Sequence, residues 1–365
     1  MLINLTKEEL KKCQRLLDIK ESNISAAEIY IEYLNFHYND IKLTDIEMLQ
    51  KKYSLDEAFY RAFMRKMEID ENDEEFLEIN KINNVKKFDL LDINEYKNNN
   101  YHKTIGQIKC KEKNIQLMTL KYQPFEAFTY DELQIDEKEY KEHTPFGYFN
   151  EEFPYLALVK DENIWMSVIP HEINTMKEPI KNAKGKVLVL GLGMGYYLFN
   201  IASKKDVTSI DVLESDPIVI DIFNKYLLNK MPNYEKINII LGDGIKFLKT
   251  SKTYDYVFVD IWHNVGDGES LYLKCKSLEK YHKNAKFDYW IETSILAMLR
   301  RQTLTVFEEN LNGFSDEDYN KARNENDEII NAIYKNTRNV CIRSFDDLHN
   351  LLTDKNLKIL ATKLF

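Results

Sequence analysis

The chain has 365 residues, 44% hydrophobic, 12% aromatic and 30% charged, enough for a sizeable core shared among about two or three domains. Its net charge of −10 argues against sequence-independent nucleic-acid binding, which needs a broad basic footprint, while a local groove or a cationic substrate stays compatible. No apolar run approaches the roughly 20 residues that span a bilayer, and the start lacks a signal peptide's basic and apolar regions, so cytoplasmic residence without a membrane partner is the expectation.

In chain order, residues 1–97 read as a helical N-terminal domain. Thr6-Lys-Glu-Glu is a capping-box pattern ahead of Leu10, Cys13, Leu16 and Leu17 at helical spacing. A second helix is expected from Ser25 and a third from the cap Ser54, and the acidic stretch Glu68 to Glu78 reads as solvated helix or loop. Asn98-Asn-Asn marks a linker into a β-rich region, 98–180. There, strands are expected from Thr104 to Cys110 and from Ile115 to Tyr122, and Asp161-Glu-Asn joins two apolar runs as a hairpin. The four cysteines (Cys13, Cys110, Cys275, Cys341) are scattered, so neither metal nor disulfide use is expected.

From 181 to 310 the texture becomes an alternation of strands (187–190, 208–213, 237–241, 256–259, 287–291) with helices (195–204, 217–229, 244–250, 270–281). That order is the pattern of an α/β fold with a doubly wound parallel, Rossmann-like sheet. Residues 311–365 read as a C-terminal helical extension, one helix of which starts at the cap Ser344.

The chemistry concentrates at the ends of four of these strands, where such sheets bind ligands. The first ends in Gly191-Leu192-Gly193-Met194-Gly195, a turn that lets a ligand approach backbone with no Cβ in the way. The second ends in Glu214-Ser215, 19 positions beyond Gly195, with a carboxylate suited to two ribose hydroxyls. Asp243-Gly244 ends the third and suits an adenine amino group. Asp260 ends the fourth, pointing towards the reacting end of the ligand, with Trp262 and His263 just after it. A dinucleotide fingerprint wants G-x-G-x-x-G, but the third glycine here falls one position early and Tyr196 takes the last slot. The spacing disfavours NAD and favours S-adenosylmethionine or a derivative.

At these residues the chain resembles the class I S-adenosylmethionine-dependent methyltransferase fold and, within it, the spermidine synthase-like branch. Val189 before the glycines, the hairpin Leu156 to Ser167 followed by Pro170-His-Glu-Ile-Asn-Thr-Met, Glu214-Ser-Asp-Pro-Ile-Val and Gly242-Asp-Gly-Ile-Lys-Phe-Leu carry the resemblance. It covers about residues 153–295. It implies cofactor contacts from Gly191, Leu192, Gly193, Met194, Gly195, Glu214, Ser215, Asp243, Gly244 and Asp260, and a substrate-side position for His171. Two departures alter the expected chemistry. The family's glycine loop carries an aspartate that binds the amine of the decarboxylated donor and repels the carboxylate of the intact one; Met194 stands there, so the ordinary methyl donor is admitted. The family's D-S-S-D ends in an aspartate that activates the amine, and Asp260-Ile-Trp-His263 puts a histidine in that place.

The expectation is therefore an S-adenosylmethionine-dependent methyltransferase of unknown acceptor, with Asp260 and His263 as catalytic residues. Aminopropyl transfer and a non-catalytic cofactor-binding protein stand as alternatives. Trp262 either stacks on a substrate or covers the sheet end, and Gly266-Asp-Gly268 reads as a loop turn. Residues 1–97 and 311–365 carry no chemical motif and are left for acceptor recognition or a homodimer contact.

Overall fold

A computed structural model describes residues 1–106, 108–250, 252–319, 321 and 324–365 of the chain. Its centre is a five-stranded, all-parallel sheet in the order Ile237–Leu241, Val207–Glu214, Gly185–Leu190, Tyr256–Val259, Lys286–Tyr289. Val187, Leu188, Val189 and Leu190 are at most 1% exposed, because helices cover both faces of the central strand. The chain leaves this strand for one side of the sheet and later returns on the other. The order therefore reverses at the carboxyl end of Gly185–Leu190, and a crevice opens there.

The expected alternation is present, with physical differences at the helices. Pro217–Ile222, capped by Asp216, continues as a π-helical turn Phe223–Leu227 and a 3-10 turn Leu228–Lys230 rather than as one α-helix. The helix expected over 270–281 instead begins at Val265 and runs to Leu278. Asn264 and Asp267 form a reciprocal capping box that outweighs the two glycines, so Gly266-Asp-Gly268 is the first helical turn and not a loop. Beyond Tyr289 the last strand stops, and Ile291 enters the left-handed region at φ 50° before helix Glu292–Leu311.

Beside this unit lies an antiparallel sheet in the order Asn163–Ser167, Phe153–Lys160, Ile115–Tyr122, Cys110–Glu112. Asp161 and Glu162 turn the hairpin with φ of 51° and 68°, the two positive values of a type I′ turn. The strand expected over 104–110 begins only at Cys110. Thr104 and Ile105 close helix Asn100–Ile105, and Gln107 lies outside the described residues. Nor is 98–100 an open linker: Asn98 ends helix Ile93–Lys97, and the Asn99 side chain caps the next helix by accepting from Tyr101 N at 2.8 Å.

In the N-terminal region the two helices expected before residue 35 are a single helix, Lys7–Glu32. Ser22 and Asn23 do not break it, because the Ser22 hydroxyl donates to Asn83 and Asn83 donates to Asn23, all three buried. Thr6, Ser54 and Ser344 cap their helices as their sequence context suggests. A second core of rings, with Tyr33, Phe59, Phe63, Phe88, Phe146 and Tyr148 buried together, joins these helices to the short strands around them. Leu2–Ile3 pairs in parallel with Cys341–Ile342, which clasps the two ends of the chain together. Among the described residues, no helix is long and apolar enough to cross a membrane.

Candidate active site

The crevice at the sheet reversal is a cavity of about 900 Å³. Every residue singled out from the sequence as cofactor-binding, catalytic or substrate-facing lines it: the turn 191–195, Glu214, Ser215, Asp243, Gly244, Asp260, His263, Trp262 and His171.

The turn is built for close approach. A Cβ on Gly191 (φ 99°) would stand 1.8 Å from the Asp260 carbonyl oxygen, so the first and fourth strand ends meet only over a glycine. A Cβ on Gly195 (φ 76°) would meet Phe223 Cε2 at 2.4 Å. Gly193 has room, with Met166 Sδ 3.7 Å away, and faces the cavity with backbone alone. The turn is also held from outside the sheet. The Tyr101 hydroxyl donates to the Met194 carbonyl at 2.7 Å, and Asn99 Nδ2 donates to the Tyr196 hydroxyl at 3.1 Å. Met194 itself is buried.

Glu214 is buried at the end of its strand and ties the glycine turn to its own following loop. One oxygen accepts from Leu192 N at 3.2 Å, the other from Ser215 N at 2.7 Å and Asp216 N at 2.8 Å. The Ser215 hydroxyl adds a long contact to that second oxygen at 3.4 Å, so the oxygen facing Leu192 N is the one that keeps a lone pair free. Asp243 stands at the rim, where it caps the short helix after it (from Lys246 N, 3.1 Å) and pairs with Lys246 at 3.7 Å. It reaches the cavity wall but is a helix cap first.

Asp260 N donates to the Leu190 carbonyl at 2.8 Å, which fixes the strand end, while no hydrogen bond or ion pair among the described residues engages its carboxyl. Burial, then the Glu214 charge, pushes that carboxyl up to about 7. His263 is an exposed rim residue tied on both ring nitrogens: Trp165 Nε1 donates to its Nε2 at 2.5 Å, and its Nδ1 lies 2.8 Å from Asp267 Oδ2. The indole donor assigns the ring proton to Nδ1, which donates to Asp267. Lys160 Nζ sits 4.0 Å over the Trp165 ring and 3.1 Å from Asp216, so the hairpin is latched across the cavity mouth from both sides. Trp262 is buried, nearly parallel to Tyr289 with centroids 6.4 Å apart, and packs down on Gly268. Of its two readings, cover for the sheet end is the one its packing supports. His171 stands edge-on to Trp290 at 6.0 Å, and burial pushes its imidazole down to about 4, so it is neutral near pH 7.

Three contributors escaped the sequence reading. Tyr101 lies in a helix 93 positions away in sequence from the residue it holds, and no local pattern signals that contact. Trp165 sits in the recognised hairpin, but its reach to His263 depends on how the hairpin folds over the sheet. Glu172 follows His171 directly and was the accessible signal: an acid in the same cavity-facing segment. Burial and the Asp260 charge hold its carboxyl well above the usual carboxylate range.

Residues 168–289 match the family described as the Spermine/spermidine synthase domain. Spermidine synthase 2 of Arabidopsis thaliana is 40% identical over 99 residues, 26% of this chain and 29% of that protein. A polyamine aminopropyltransferase of Alkaliphilus oremlandii is 33% identical over 144 residues, 39% of this chain and 49% of the relative. Putrescine N-methyltransferase 2 of Nicotiana attenuata is 32% identical over 97 residues, 26% of each chain. The chain thus spans half or less of the length of these relatives. Strand order, glycine turn and family match agree, and residues 168–289 are a spermidine synthase-like domain on the class I S-adenosylmethionine-dependent methyltransferase fold.

Proposed function

We propose that this protein transfers the methyl group of S-adenosylmethionine to an amine. The observation that carries this reading is Met194, buried within the glycine turn at the position where the family pattern has an acid. With no anion there, the carboxylate of the intact donor meets no repulsion from the turn. Similarity to putrescine N-methyltransferases of Nicotiana is compatible with methyl transfer.

The residues present fit such a donor. The turn offers bare backbone, Glu214 keeps a lone pair for a ribose hydroxyl, and Asp243 stands at the rim where the base would lie. Bound there, the donor supplies an electrophilic carbon on a sulfonium. The chain's own task is to align an acceptor nitrogen with that carbon and to take the proton the nitrogen sheds. Asp260, at the turn and raised towards neutrality, is placed to take it.

Similarity to polyamine aminopropyltransferases favours a second reading, transfer of an aminopropyl group. Calorimetry with S-adenosylmethionine and its decarboxylated form separates the two. Binding of the intact donor is the expected result. Binding of the decarboxylated form alone overturns the methyl reading in favour of the second, and binding of neither overturns both.

A further inference from the structure

Four acids line the cavity, and the protein uses two of them itself. Backbone N–H groups hold Glu214, and Asp243 caps a helix. Asp260 and Glu172 receive no hydrogen bond or ion pair to their carboxyls among the described residues. A carboxylate withdrawn from water without a partner is costly, so the site as built is short of cations.

The two unengaged acids share the cavity with the glycine turn. Asp260 abuts the turn's first residue, Gly191. Glu172 enters from outside the sheet, on helix Pro170–Thr175. After burial, its charge helps to push up the hydroxyl of Tyr196, the residue just after the turn, and that of Tyr101, which is bonded to the Met194 carbonyl. A donor of the class proposed above carries two positive centres. The sulfonium has no N–H to give, whereas an ammonium has three donors for carboxylate oxygens. Asp260 lies at the strand end facing the reacting carbon, which leaves Glu172 for the other charge.

We propose that Glu172 receives the α-ammonium of the donor's amino-acid end and fixes that end beside Met194. The assignment rests on the adenosyl-donor reading and adds to it a specificity-determining residue outside the glycine turn. With Met194 in the turn, one carboxylate rather than two faces this end of the ligand, so the ammonium is held while the donor's carboxylate is tolerated.

The test uses S-adenosylhomocysteine and 5′-methylthioadenosine, which share adenosine and sulfur but differ in the amino-acid end. Calorimetry is run on the full chain, on Glu172→Gln and on Glu172→Asp. Glu172→Gln is expected to weaken S-adenosylhomocysteine binding by about tenfold or more, the loss of one charge-assisted contact, and to leave 5′-methylthioadenosine binding within about twofold. Glu172→Asp, which keeps the charge, is expected to lose less of the S-adenosylhomocysteine affinity than Glu172→Gln does. Equal losses of both ligands in either variant, or no loss of either ligand in Glu172→Gln, overturn the assignment. A wild-type protein that binds neither compound overturns the donor reading itself, and this assignment with it.

Discussion

The Tyr101 hydroxyl reaches the Met194 carbonyl at 2.7 Å, so a helix outside the central sheet sets the shape of the glycine turn. Tyr101 is fully buried and stands edge-on to Tyr196 at 5.4 Å and to Phe199 at 5.5 Å, so the ring cannot swing away while the helix after the turn stays in place. The turn is thereby pinned at its carbonyl from one side and at the Tyr196 hydroxyl by Asn99 from the same helix end.

Tyr101→Phe keeps the ring and removes the donor. Leaving the Met194 carbonyl without it should cost about 1–3 kcal/mol of stability. Urea unfolding should show a lower midpoint at unchanged slope, and S-adenosylhomocysteine affinity should fall with it. An unchanged midpoint and affinity would show that the bond does not hold the turn.

The glycines of the turn should not tolerate substitution equally. Gly191→Ala drives a Cβ to 1.8 Å from the Asp260 carbonyl at φ 99°, and separating two strand ends should cost about 3 kcal/mol or more. Gly193→Ala has an open neighbourhood at φ 52° and should cost only the left-handed strain, about 1–2 kcal/mol. Thermal unfolding of the pair gives the order directly; a Gly193→Ala protein as unstable as Gly191→Ala would contradict it.

Stability of the ligand-free protein should fall with rising pH across this site. Asp260 is raised to about 7 by burial and Glu214, and Glu172 is raised by burial and Asp260. A carboxyl raised in the folded state holds its proton more tightly there than in the unfolded chain. Its contribution is therefore fully present below the unfolded value of about 4 and is lost as pH climbs through about 7. His171, the other ionisable group of this segment, is pushed down to about 4 and stays neutral over most of that window. The difference in unfolding free energy between wild type and Asp260→Asn, followed from pH 4 to 8, should shrink or change sign in favour of the variant. A pH-independent difference would mean that Asp260 does not titrate differently in the folded state.

Asp260 and His263 should separate in kinetics. Asp260→Asn removes the carboxylate at the strand end and should lower kcat by about a hundredfold or more with little change in donor affinity. The His263 Nε2 lone pair already accepts from Trp165, so His263→Ala should cost less than about tenfold in kcat. Comparable losses from the two variants would move the proton-accepting role to the histidine.

Much of the central sheet could be read from the chain because its determinants are local. Buried parallel strands are continuous apolar runs, and the glycines that end Val187-Leu-Val-Leu190 announce where bare backbone lines the crevice. The same locality explains the misreadings. Gly266 and Gly268 look like a loop until Asn264 and Asp267 are seen closing a capping box over them, and Ser25 looks like the start of a second helix until Asn83 is seen to satisfy Ser22 and Asn23 within one long helix. What sequence could not supply was orientation. The sequence offers His263 as a proton acceptor because nothing near it in the chain reveals that Trp165, 98 positions earlier, donates into its Nε2. Glu172 was passed over because a glutamate in a short helix looks ordinary until its surroundings prove to be a cavity lined by other acids.

The clasp between Leu2–Ile3 and Cys341–Ile342 has a consequence for how the chain is made. Sheet strands from 185 to 289 pair with neighbours supplied by one contiguous stretch, so that unit can assemble as soon as the stretch exists. The pairing of Leu2–Ile3 with Cys341–Ile342, by contrast, closes a loop that encloses the whole of that sheet. The outer helices therefore behave as a belt buckled last, and the Tyr101 bridge lies on the N-terminal run of that belt. Tyr101 and Met194 both precede the last strand of the sheet, Lys286–Tyr289, so the bridge to the glycine turn does not wait for that buckle.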